Sequence, residues 1–177
     1  MRTVSLILAT ENDMKGVATW IGHPEILRWL GDTFKVTTPS RDRSELDGQR
    51  RGHVRTVQLV VRDQDRAQPP VAYACAAVYG TPAPGTVVGA TQPEDAEYTA
   101  PFHASVMYAV RRDCWEDRIG TALVPALLEH AELAEVAVFL AGIDSENGGS
   151  RKVAEAAGFV AEPDAPATGH RMYRFTR

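Results

Sequence analysis

The stretch from Phe102 to Phe159 constrains the fold more than any other part of the chain. It reads FHASVMYAV (102–110), RRDCWEDRIGTALVPALLEHAEL (111–133), AEVAVFLAGI (134–143) and, after a short link, NGGSRKVAEAAGF (147–159). The pattern predicts an apolar strand, a turn opening a helix, a second apolar strand, and a second helix closed by Gly-Phe. Two strands joined through a crossover helix form a parallel pair, because a hairpin is excluded by the length of the connection. The first helix starts where a strand ends, so its first N–H groups lack intrahelical acceptors and point at whatever binds there. That is a site suited to an anionic ligand.

At 177 residues the chain is expected to be one domain, 1–177, long enough for a real core and short for two. A formal charge of −4 with a pI near 5.7 argues against a dedicated nucleic-acid binder, which carries a basic face. Two cysteines make no disulfide framework, and Cys75 sits in the apolar run VAYACAAV as a small hydrophobe, which points to a reducing cytoplasm. The early run VSLILA is too short for a signal-peptide core or a membrane span. A cytoplasmic location without a membrane partner is therefore expected. The five histidines are scattered without paired ligand spacing, so no metal is expected.

Residues 3–9 read as a first strand, and the Thr10 to Asp13 segment offers N-caps for a helix through Ile21. PEILRWLGD predicts a second short helix, with Pro24 in its first turn and Gly31 as its C-cap. Residues 36–52 are charge-dense and read as a solvated loop; the functional alternative is that Arg50 and Arg51 reach an anionic group. Strands follow at 53–63 and 70–80, the second nearly all apolar or small and so central in its sheet. The Pro/Gly/Thr-rich segment 81–101 reads as a long loop over one end of the sheet, with Val87 and Val88 as a candidate short strand. GHRMYRFTR (169–177) alternates as a final strand. The sum is an α/β (α+β) domain: a mixed, mostly antiparallel sheet of six to seven strands with about four helices on its two faces.

Three pieces carry a family resemblance. They are WIGHPEILRWLGD, the run Ile119-Gly120-Thr121-Ala122-Leu123 nine residues after Val110, and E-N-x-x-S-x-x-V-x-E-x-x-G-F from Glu146. Together they resemble the Gcn5-related N-acetyltransferase (GNAT) superfamily, and within it the ribosomal-protein and antibiotic acetyltransferases. The resemblance implies acetyl-CoA as co-substrate, held in an opening between two splayed parallel strands, here 102–110 and 135–143. It implies that the backbone of Tyr108, Ala109 and Val110 pairs with the pantetheine arm. It implies pyrophosphate binding around Arg111 and at Arg118, Ile119, Gly120, Thr121 and Ala122, with Asn147 and Ser150 completing the cofactor site. The family's Q/R-x-x-G-x-G/A turn falls on Trp115-Glu116-Asp117-Arg118-Ile119-Gly120, so Arg118 stands where the first motif glycine is expected, and Glu116 stands at a position that is also commonly glycine.

Acetyl transfer needs a neutral amine, a polarised thioester carbonyl and an acid for the leaving thiolate. The family's frequent tyrosine, seven residues after the asparagine, is Ala154 here. Ser150 is the candidate acid on the strength of the resemblance, the alternative being that it only caps or packs. His103, two residues before Ser105 on the same strand face, is the candidate base, since histidine titrates near neutrality; an idle strand-start histidine is the alternative. Glu94 and Glu97 are candidates for binding a cationic amine, against a purely solvated surface. The expected acceptor is a primary amine of a small molecule or a peptide N-terminus, with a homodimer left open. The competing expectation is a non-catalytic or repurposed protein of the same fold, whose pyrophosphate turn has decayed.

Overall fold

A computed structural model describes residues 3–31, 43–62, 68–84, 97–163 and 170–177. Helix α1 (Glu11–Ile21) starts at Thr10, whose hydroxyl accepts from the Asp13 N–H while the Asp13 carboxylate accepts from the Thr10 N–H, a reciprocal capping box. Helix α2 (Pro24–Leu30) has Pro24 at its start and Gly31 at its end, as the sequence predicts. The first strand is shorter than expected: β1 is only Ile7–Leu8.

Segment 43–52 is not the solvated loop expected from its charge. It is a hairpin of β2 (Arg43–Leu46) and β3 (Gln49–Val61), turned by Asp47 and Gly48 at φ 52° and 74°. Both values lie in the left-handed region that a two-residue hairpin turn demands and that Asp-Gly supplies at low strain. β4 (Ala72–Pro82) and β5 (Tyr98–Val110) follow. β5 thus takes in residues 98–101, which the sequence assigns to the long loop. Val87 and Val88 lie outside the described residues.

After β5 the stretch 111–133, expected as a turn opening one helix, holds three helical pieces. A 3-10 segment spans Arg112–Asp117, helix α3 spans Ile119–Leu128, and a 3-10 turn spans Ala131–Leu133. β6 (Val136–Asp144), α4 (Gly148–Ala156), β7 (Val160–Ala161) and β8 (His170–Thr176) complete the order. Gly158, at φ 91°, ends α4 and lets Phe159 turn under it against Phe175, ring centres 5.6 Å apart.

The strands form one sheet in the order β1-β3-β4-β5-β6-β8-β7, with β2 on the outer end of β3. Eight described strands exceed the expected six to seven, the strands not expected being β2 and the short β7. Every neighbouring pair is antiparallel except β5 with β6. One face of the sheet, with Ala72, Ala74, Ala76, Val78 and Ala104, carries the main core against α3 and α4. On the other face Val60, Tyr73 and Ala109 pack under α1 and α2. Asp13 ties α1 to β3: it is 5% exposed and receives Arg62 Nε at 2.8 Å and Nη2 at 2.7 Å.

Candidate active site

β5 and β6 pair only from Phe102↔Val136 to Ser105↔Leu140, then part. Beyond that point β5 stays bonded to β4 as far as Val110, and β6 to β8 as far as Asp144. The facing edges of 106–110 and 141–144 therefore hold backbone groups with no strand between them. The gap they leave is a cleft of about 500 Å³, within the usual range for a small-molecule site.

The cleft passes through the sheet. On one face Tyr108 and Val110 lean toward α3 and α4 with Val153; on the other Met107 and Ala109 belong with α2, whose Ile26, Trp29 and Leu30 form a wall. Two ion pairs hold α2 across the opening: Glu25 to Arg112 at 2.5 Å and Arg28 to Glu146 at 3.1 Å. The α2 wall is not signalled in the sequence except by the apolar face Ile26, Leu27 and Leu30, which reads as ordinary core.

At the entrance, α3 begins behind Arg118 at φ 57° and ψ 24°, with no side-chain cap on that residue. Arg118 thus takes up the left-handed conformation a glycine would give, and the turn is kept although the glycine is not. The N–H groups of Ile119, Gly120 and Thr121 have no acceptor within the helix, and Gly120 and Thr121 line the cleft. The donor set is that of an anion cradle with Arg118 beside it. Replacing Arg118 by glycine should relieve about 1–2 kcal/mol of left-handed strain, offset by about 0.5–1 kcal/mol from glycine's freer unfolded chain. A net rise in Tm of about 1–2 °C is expected, with weaker and less salt-sensitive anion binding; differential scanning calorimetry and titration read the two effects apart. A lower Tm would contradict the strain.

Across the cleft, Asn147 caps α4, its Oδ1 accepting the Ser150 N–H at 3.0 Å. Its amide nitrogen remains to donate to a ligand. Ser150 lines the cleft, and its carbonyl receives the Tyr108 hydroxyl at 3.3 Å. Burial pushes the Tyr108 phenol above its ordinary pKa, with the bond to Ser150 acting the other way.

The structure therefore brings together Tyr108, Ala109, Val110, Arg118, Gly120, Thr121, Asn147 and Ser150. It places three other predicted cofactor residues off the lining. Ile119 is buried beneath the helix, Ala122 lies one turn in, and Arg111 turns to Asp113, at 2.7 Å, and to the Pro69 carbonyl, at 3.0 Å. Glu97 is exposed at the start of β5 and away from the lining, while Glu94 lies outside the described residues. Arg51 is buried and bonded to Thr81 and Gln49, so its charge serves the hairpin.

His103 is also elsewhere. It is fully buried at the paired end of β5, its ring 5.1 Å from that of Tyr79 and its Nε2 3.1 Å from Ser44 Oγ. The strand parity is right, but the hairpin that the charge pattern conceals covers this end of the face. Burial, assisted by Arg51, pushes the His103 pKa down to about 4. The ring is neutral near neutral pH. Because the unfolded chain takes up the proton first, near pH 6.5, folding stability should fall as pH drops from about 6.5 to 4, by up to ~3 kcal/mol. Denaturant titrations of the protein and of His103→Gln across that range check this: the variant should lose the extra slope.

Among known proteins, the sequence matches the family described as acetyltransferase (GNAT) domain over residues 4–160. No curated protein matches it. The fold is similar to that of the aminoglycoside acetyltransferase AAC(6')-Ib solved with coenzyme A, at 19% identity and a TM-score of 0.66, covering 99% of this chain and 95% of that one. The GNAT domain of S. lividans PAT is similar at 16% identity and 0.65, covering 97% and 89%. A domain from Methanocaldococcus jannaschii is similar at 12% identity and 0.64, covering 99% of both chains. With a family match that takes in β1 to β6, the splayed strands and the turn before α3, the chain belongs to the GNAT acetyltransferase family.

Proposed function

We infer that the protein is a single-domain N-acetyltransferase that uses acetyl-CoA to acetylate a primary amine of a small molecule or a peptide N-terminus. The observation that carries this reading is the cleft itself, which opens where β5 and β6 part and has the first turn of α3 at its mouth. The thioester, when bound, supplies the activated acetyl group; the chain supplies position, polarity and a proton. Arg118 and the first turn of α3 would hold the diphosphate. The open edge of β5 offers backbone groups to the pantetheine arm, and the Asn147 amide adds a donor. The acetyl group would then lie near the point where the strands part, with the acceptor amine arriving from the α2 face.

As the amine nitrogen bonds to the carbonyl carbon, the carbon–sulfur bond breaks and the amine gives up a proton. Ser150 is the proposed donor to the departing thiolate. With His103 buried, the amine's proton would leave through water. The left-handed Arg118 supports a working turn over a decayed one, since the chain retains an unfavourable backbone conformation there. The test is calorimetric titration with acetyl-CoA followed by thiol-release assays against a panel of amines. Absence of binding at millimolar acetyl-CoA would end this reading.

A further inference from the structure

We propose that Trp115, with Arg112 laid against it, is the seat for the nucleotide end of the CoA thioester, the indole taking adenine and the guanidinium a phosphate. This rests on the cleft being a CoA site. Three large apolar side chains are exposed among the described residues, Leu8, Trp115 and Val160. Leu8 and Val160 sit on the short strands β1 and β7; Trp115, 40% exposed, lines the cleft. It belongs to none of the apolar clusters of the core. Its ring is nevertheless held: Nε1 donates to the Val110 carbonyl at 2.8 Å, and the Arg112 guanidinium lies 4.6 Å from the ring centre. Glu25, at 2.5 Å, holds Arg112 in turn.

An indole fixed by its own N–H at the rim of an anion-binding cleft has little packing function. It is a flat surface whose ordering is completed before a ligand arrives, which lowers the cost of binding. Aromatic faces stack on any base, and an adjacent guanidinium suits phosphate. Both residues lie in the 3-10 segment directly before Arg118, so a ligand whose diphosphate met the start of α3 would have its nucleotide within reach of this platform. The platform supplies binding at the position where the family's turn has lost its glycines.

The test compares CoA, adenosine 3′,5′-bisphosphate and pantetheine on the wild-type protein, Trp115→Ala and Trp115→Phe, by calorimetry and tryptophan quenching. Trp115→Ala should weaken CoA and the bisphosphate about tenfold, as loss of one stacked base does, and leave pantetheine unchanged. Trp115→Phe should recover most of the loss. Unchanged CoA affinity in Trp115→Ala overturns the platform while leaving the cleft assignment intact, and so does an equal loss for pantetheine, which would make Trp115 a mere wall. A wild-type protein that binds the bisphosphate through Trp115 and yet fails to bind CoA overturns the thioester reading and, with it, the assignment of this seat to CoA. A wild-type protein that binds neither overturns both.

Discussion

Replacing Asp13 by alanine should destabilise the protein by about 3 kcal/mol, the low end of what removing one partner of a buried ion pair costs. Asp13 is 5% exposed and accepts both prongs of the Arg62 guanidinium, so the substitution leaves that cation without its acceptor. The low end applies because the Arg62 side chain is 32% exposed and regains water. The same carboxylate closes the capping box on Thr10, and that bond is lost too. In a domain of this size the change amounts to roughly 6–12 °C in Tm, measurable by calorimetry. Arg62 holds the Asp13 carboxyl well below the usual carboxylate range, burial opposing and Thr10 assisting. A lowered pKa places the stabilisation above the unfolded value near 3.9, and it is lost as pH falls through the folded one. The wild-type advantage over Asp13→Asn should therefore be constant above about pH 5 and shrink only in stronger acid. An advantage that disappeared between pH 7 and 5 would rule this pair out as its source. Since α1 leads directly into α2, Asp13→Ala should also loosen the Ile26–Trp29–Leu30 wall and raise KM for the acceptor.

Ser150→Ala should lower kcat about 100-fold, the lower part of the range for loss of a positioned acid, with Tm essentially unchanged. Both backbone hydrogen bonds at this residue survive: Asn147 still accepts its N–H, and its carbonyl still accepts from Tyr108. The hydroxyl alone is removed. Steady-state thiol release with a saturating amine, together with a CoA titration, separates the roles. A kcat within twofold of wild type would reassign Ser150 to packing, and a loss confined to CoA affinity would make it a binding residue.

Much of the fold is legible because local chemistry and global packing agree. Thr10, Pro24 and Gly31 mark helix ends by mechanisms that need no neighbours, and the apolar run of β4 announces a strand covered on both faces. The β2–β3 hairpin is concealed because Arg, Asp and Glu dominate its composition; the Asp47-Gly48 pair is the signal that finds it, and it outweighs charge density. The split of 111–133 is concealed for a different reason. Its break is a left-handed arginine, and nothing in an arginine announces positive φ. Strand 98–101 is hidden by Pro101, which lacks an N–H; the ladder accommodates it by shifting register between Tyr79 and Thr81. The site divides in the same way. Asn147 and Ser150, expected from the family resemblance, line the cleft, whereas the placement of His103 depends on a hairpin about sixty residues earlier in the chain. The parting of β5 from β6 leaves no trace in apolar alternation, which continues unchanged through Ser105 and Leu140.

The alternation along β5 gives this strand two independent vocabularies. Tyr108 and Val110 speak to the α3–α4 side, while Met107 and Ala109 speak to the α2 side. Under the proposed function, a substitution at an odd position is expected to alter what the protein accepts, and one at an even position what it donates, with the shared backbone edge untouched by either. On that reading acceptor preference can drift by single mutations while the proposed demand for the thioester is inherited intact. Libraries built on Met107, Ile26 and Trp29 alone should therefore yield new acceptors without having to rediscover the donor.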